Sequence, residues 1–170
     1  MLNDPDSVSF LAPLAPGVVG VAAVMPQVIE AFRTGGGVPY EAYGADMRNS
    51  IALLNRPGFL TLLGSKWFPA IPDVDRRLRA EPPARVADVG CGAGWSSIGI
   101  ARAYPMVTVD GFYLDLASIK EARRKAGGSG VADRVNFEIR DAVGRCHRTG
   151  RCRFLRRYRN SGRTMTRRRC

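Results

Sequence analysis

The feature that most constrains this chain is the segment Asp88-Val89-Gly90-Cys91-Gly92-Ala93-Gly94-Trp95-Ser96, which lies between a short apolar run and a helical pattern. Glycine at every second position lets a backbone turn with positive φ and lets a ligand come close to the main chain. A helix that starts directly after such a turn offers unpaired N–H groups and the positive end of its dipole. The segment therefore predicts a strand, a tight loop and a helix, with the loop as a candidate binding site.

The flanking pattern alternates in period. Arg85–Val89 is a short apolar run, expected as a buried strand, and Gly94–Tyr104 reads as a helix ended by Pro105. Val107 and Val109 mark a second strand. Asp115 is the expected N-cap of a helix carrying Ile119, Ala122 and Ala126, supported by a Glu121–Lys125 pair and closed by Gly127-Gly128. Val135, Phe137 and Ile139 alternate with Asn136, Glu138 and Arg140, as in a half-buried edge strand. The order β-α-β-α-β is the first half of a doubly wound, Rossmann-like α/β sheet.

Upstream, residues 26–84 read as a helical approach segment. Asp46 is expected to cap a helix with Met47, Ile51 and Leu54 on one face and a stop at Pro57. Further short pieces follow at Phe59–Leu63, at Ser65–Phe68 and from Asp73 to the Pro82-Pro83 pair. Residues 1–25 are rich in Pro, Ala and Val and are expected to be irregular. The expected division is thus an irregular segment 1–25, a helical segment 26–84, a partial ligand-binding domain 85–142 and a basic tail 143–170.

Two classes of cofactor use a glycine loop of this kind. In the dinucleotide fingerprint G-x-G-x-x-G the third glycine permits close helix–strand packing. Counted from Gly90 and Gly92 that position is Trp95, which argues against a dinucleotide, and no Gly-Lys-Ser/Thr follows to form a Walker loop. The pattern D-x-G-x-G-x-G, carried by Asp88, Gly90, Gly92 and Gly94, resembles motif I of class I S-adenosylmethionine-dependent methyltransferases. The resemblance extends to Val109–Ala126, similar to the family's second strand and helix, and to Arg134–Ala142, similar to its third strand. It implies that S-adenosylmethionine binds at this loop, that the leading acid Asp88 organises the loop, and that Asp141 and Ala142 border the adenine. Thr34–Gly44 is similar to a bacterial subgroup whose methyltransferase domain follows a winged-helix portion, which makes Tyr40 and Tyr43 candidate pocket residues beside a core-packing role. The implied activity is methyl transfer to a small-molecule acceptor.

The sequence departs from that family in two places. The acid that holds both ribose hydroxyls at the end of the second strand is replaced by Tyr113, and Asp115, two residues on, serves either as a substitute or as the helix cap. The family's fourth strand has no counterpart, so the chain is expected to be a truncated, frame-disrupted member with little turnover and no nameable general base.

Composition bears on what happens after Ala142. The formal net charge is +11, yet residues 1–142 hold as many acidic as basic side chains. The excess comes from 11 arginines, with no lysine and no acid, in residues 143–170. That tail is expected to be disordered. It reads as an Arg-rich nucleic-acid arm with interleaved Phe154 and Tyr158, or as a GC-rich frame decoded out of register. Cys146, His147 and Cys152 show no recognised metal-ligand spacing, so no metal is expected. The apolar stretch Val18–Met25 is short for a membrane span and has no basic residue before it, so neither a membrane nor a secretory signal is expected. Cys91 stands alone in the body, and the expected location is cytoplasmic.

Overall fold

The structure, a computed structural model, describes residues 3–141. Ala142 and the basic tail lie outside the described residues, and so do the expectations placed on Cys146, His147, Cys152 and an arginine arm.

The β-α-β-α-β reading holds. Strands β1 (Arg85–Val89), β2 (Thr108–Tyr113) and β3 (Val135–Ile139) form a parallel sheet in the order β1-β2-β3. Val89 stands opposite Phe112, and Tyr113 opposite Ile139. Parallel neighbours need crossover connections; here these contain α4 (Trp95–Ala103) and α5 (Leu116–Gly128). Their inner faces, Ile98 and Ala101 from α4 and Ile119, Ala122 and Ala126 from α5, pack with Val109 and Phe137 from the sheet to form the core. Among the described residues β3 is an edge strand, as its alternation led one to expect, and its last residue Ile139 is half exposed. β1 was expected to be buried, but among the described residues it is the other edge, and no residue of it is fully buried.

The approach segment differs more. Helix α1 runs from Leu14 to Thr34, through the second half of the stretch expected to be irregular. Pro13 is its N-cap and Pro16 falls in its first turn, where N–H groups have no intrahelical acceptor, so neither proline opposes it. Pro26 lies inside it and removes one ladder bond without ending the helix. Because α1 continues through Pro26, it spans 21 residues, with a window of mean hydropathy 1.5. By length and composition alone it reaches what crossing a membrane requires, which corrects the reading of Val18–Met25 as too short.

Helix α1 packs on α2 (Gly44–Pro57) through small residues. Gly17 faces the Ser50 hydroxyl, Gly20 faces Met47, and Ser50 Oγ donates to the Pro13 carbonyl at 2.6 Å. The cap expected at Asp46 is not used: α2 starts earlier, after Tyr43, and Asp46 sits in its first turn, where a negative charge suits the dipole. Pro57 does not stop the chain either. It leads into a wide π-type helix, Gly58–Trp67, which absorbs the pieces expected at Phe59–Leu63 and at Ser65. This helix presses on α4 so closely that a Cβ at Gly99 would overlap the Phe59 carbonyl, and one at Gly64 would overlap Ala103. A short helix, α3 (Pro72–Arg79), starts one residue before Asp73. It is anchored by the buried Tyr104, whose hydroxyl donates to Asp75 at 2.6 Å.

Candidate functional site

The glycine loop leaves β1 at the carboxyl end of the sheet, where ligands bind in open α/β folds. Gly90, Gly92 and Gly94 all have positive φ, at 85°, 52° and 85°. Their surroundings separate them. A Cβ at Gly90 or Gly92 would meet nothing within 4 Å among the described residues, whereas one at Gly94 would lie 2.7 Å from Phe137 Cζ and 2.8 Å from Ala122 Cβ. The first two glycines therefore keep a surface open, and Gly94 lets α4 approach the sheet.

Asp88 fixes the loop from beneath. Its Oδ2 accepts from Ser96 Oγ and from the fully buried Ser97 Oγ, both at 2.6 Å, joining the end of β1 to the first turn of α4. The backbone N–H groups of Gly90 and Cys91 donate to the Phe112 carbonyl at 2.8 and 3.2 Å and tie the loop to β2.

Above the loop is a cavity of about 380 Å³. Gly90, Cys91, Gly92 and Ala93 form its floor, and Tyr113 borders it from the end of β2. Its roof comes from α2 and the turn before it: Tyr40, Arg48, Asn49, Ala52 and Asn55, with Phe59 beyond. Ser118 and Glu121 line it from α5, and Trp95 from α4. The Trp95 indole N–H is buried with no hydrogen-bond partner among the described residues, and the Arg56 guanidinium and the Lys125 ammonium lie 5.2 and 4.7 Å from the ring centroid. Burial pulls the Lys125 ammonium below its ordinary pKa.

Of the residues singled out from sequence, Gly90, Gly92, Tyr113 and Tyr40 border the cavity. Asp88 and Gly94 support the loop without bordering it, and Tyr43 does not border it. Asp141 is exposed just beyond β3. Asp115 is the cap of α5: its Oδ2 accepts from Ser118 N and Ser118 Oγ, both at 2.7 Å, with Arg48 Nε at 3.8 Å. Burial raises its pKa, but the Ser118 hydroxyl and backbone bonds and the Arg48 charge outweigh that, so its carboxyl stays below the ordinary value. Of the two roles open to it, the geometry shows the cap. Tyr113 is pushed up to about 12 by burial and by the neighbouring Tyr40 phenol.

The roof residues Arg48, Asn49 and Asn55 were not anticipated. Their one sequence signal is a cluster of polar groups on a helix whose opposite side, Met47, Ser50 and Leu54, is at least partly buried.

Cys91 borders the cavity as a buried thiol. Burial, with the nearby Asp88 carboxylate, pushes its thiol up to about 12, so the thiolate that would react is scarce at neutral pH. Iodoacetamide at pH 8, followed by peptide mapping, is expected to label Cys91 in denaturant and to leave it unlabelled in the folded chain.

The loop, the crossover helices and the three parallel strands together give part of a Rossmann-like α/β fold, similar to that of solved methyltransferase-like proteins. No family model matches the chain. Among solved structures, it is similar to an O-methyltransferase-like protein of Nostoc punctiforme, at TM-score 0.56 and 16% identity over 79% of this chain and 40% of that one. An O-methyltransferase family protein from Burkholderia thailandensis gives TM-score 0.51 and 17% identity over the same shares, 79% and 40%. A SAM-dependent methyltransferase from Geobacter sulfurreducens, solved with S-adenosyl-L-homocysteine, is 34% identical over 52% of this chain and 30% of that one, at TM-score 0.40. The chain thus spans well under half the length of each of these proteins.

Proposed function

We propose that the cavity binds S-adenosylmethionine and that the chain serves methyl transfer to a small-molecule acceptor. The observation that carries this reading is the pair Gly90 and Gly92. Both have positive φ, both border the cavity, and at both a Cβ would enter open space, so the main chain offers a cradle that a ligand can touch directly.

The cavity suits such a group in its polar and apolar parts. Tyr113 lies about 20 residues beyond the loop, where folds of this kind hold the ribose. Asp88 does not reach the cavity; by holding Ser96 and Ser97 it keeps the cradle rigid. The α2 roof faces the loop across the cavity, and Arg48 and Asn49 line it with polar groups. When bound, the sulfonium supplies an already activated methyl group, so the chain's own task is alignment and water exclusion. The membership of Asp141 and Ala142 in the adenine end is part of the same proposal.

Isothermal titration of the full 170-residue chain with S-adenosylhomocysteine tests the reading. Saturable one-site binding, with no binding of NAD at the same concentrations, is expected. Absence of binding at millimolar ligand would overturn it.

A further inference from the structure

A second cavity, of about 490 Å³, adjoins the one above the loop, and Asn49, Ala52, Trp95 and Glu121 border both. Two helical stripes line it. Asn49, Ala52, Leu53 and Arg56 come from α2, and Glu121, Arg124, Lys125 and Gly128 from α5, each set at i, i+3, i+4 and i+7 and so on one face of its helix. Arg56, Arg124 and Lys125 border this second cavity alone, so three cations meet in a space the size of a small-molecule site. Two carboxylates answer them. Asp6 accepts from Arg56 Nη1 at 2.7 Å, and Glu121 takes Arg124 through both oxygens, at 2.6 and 2.8 Å. Lys125 is left with Glu121 Oε1 at 3.4 Å, the oxygen that Arg124 already holds at 2.6 Å. Its side chain is 11% exposed. An ammonium with three donors thus has, among the described residues, one distant and shared acceptor, an arrangement that an oxyanion in the cavity would complete. The remaining lining includes Pro5, Ala52 and Leu53, which are apolar.

We propose that this second cavity binds a small organic acid, its carboxylate held by Lys125 and Arg124 and its apolar body against Pro5, Ala52 and Leu53. Three cations against two carboxylates leave one positive charge, which one carboxylate balances. The cavity lies between α2 and α5 rather than over the glycine loop, so the site stands apart from the cofactor reading. Trp95 belongs to the wall that the two cavities share, and its ring centroid is 4.7 Å from the Lys125 ammonium, which makes it a built-in reporter of charge at this place.

The test uses the full chain carrying Trp67→Phe, which leaves Trp95 the sole indole. Benzoate is the probe, with benzyl alcohol (the ring without the charge) and acetate (the charge without the ring) beside it. Trp95 emission and calorimetry are both followed, and thermal unfolding of each variant verifies the fold. Benzoate is expected to bind saturably and at least about tenfold more tightly than either fragment. Lys125→Met keeps the stem and removes the ammonium; it is expected to weaken benzoate by about tenfold or more, the worth of one charge-assisted hydrogen bond. Arg124→Gln, at a more exposed and more screened position, is expected to cost about threefold. Arg48→Met, which touches the first cavity alone, is expected to leave benzoate binding unchanged. Absence of saturable binding at millimolar benzoate overturns the proposal, and so does benzyl alcohol binding as tightly as benzoate. Folded Lys125→Met and Arg124→Gln proteins with undiminished affinity overturn it too, as does a loss seen in Arg48→Met instead. None of these results bears on S-adenosylhomocysteine binding, which is titrated separately.

Discussion

Alanine at Gly94 is expected to destabilise the fold by about 3 kcal/mol, read as a lowered urea midpoint with little change in slope. Two costs add at this position. The φ of 85° places an L-residue in the left-handed region, worth about 1 kcal/mol or more. The new methyl would also lie 2.7 Å from Phe137 Cζ and 2.8 Å from Ala122 Cβ. Phe137 and Ala122 are 1% and 0% exposed, so neither has free space to move into, and overpacking of this kind costs about 1–3 kcal/mol. Relief would require moving α4 or α5 off the sheet. A midpoint equal to the wild type's would show that this helix–sheet contact is looser than the geometry indicates.

The elements around the glycine loop were legible in sequence because each is fixed by neighbours within a few residues. Asp115 caps the helix that its own Oδ2 starts, by bonding Ser118 N. Val135 and Phe137 face the core because alternate residues of a strand must share a face. The approach segment was less legible for a matching reason. Pro13, Pro16 and Pro26 look like interruptions until the start of α1 is known, since proline is costless in a first turn and costly further in. The π-type helix after Pro57 is stabilised by packing on Gly99 and Ala103 of α4, some 40 residues away, which no local period reports. The cavity over the loop shows both sides of this. Its floor is a motif, readable from spacing, but its roof is assembled by α2 lying over that floor. The Tyr40–Tyr113 contact joins residues that only the tertiary fold brings together. Asp88, expected from the motif to organise the loop, does so through partners that spacing alone does not name, the hydroxyls of Ser96 and Ser97.

Valine at Gly90 is expected to have the opposite profile to alanine at Gly94, although the two glycines share a φ of 85°. At Gly90 none of the described residues lies within 4 Å of the new Cβ, so the stability cost is that of the backbone, about 1–2 kcal/mol for an L-residue in this region. The side chain fills the cradle itself. A ligand that touches the loop main chain would have to withdraw by roughly the width of a methyl group, losing its close contacts and its hydrogen bonds to the loop together. Three or more such interactions, at about 1 kcal/mol each, correspond to a loss of at least about a hundredfold in affinity for S-adenosylhomocysteine. Stability and affinity measured on the same two variants therefore separate the two uses of one motif. Gly94→Ala should mainly lower the urea midpoint and Gly90→Val mainly the affinity. If Gly90→Val binds the ligand as the wild type does, the open face of the loop is not where the adenosyl group rests.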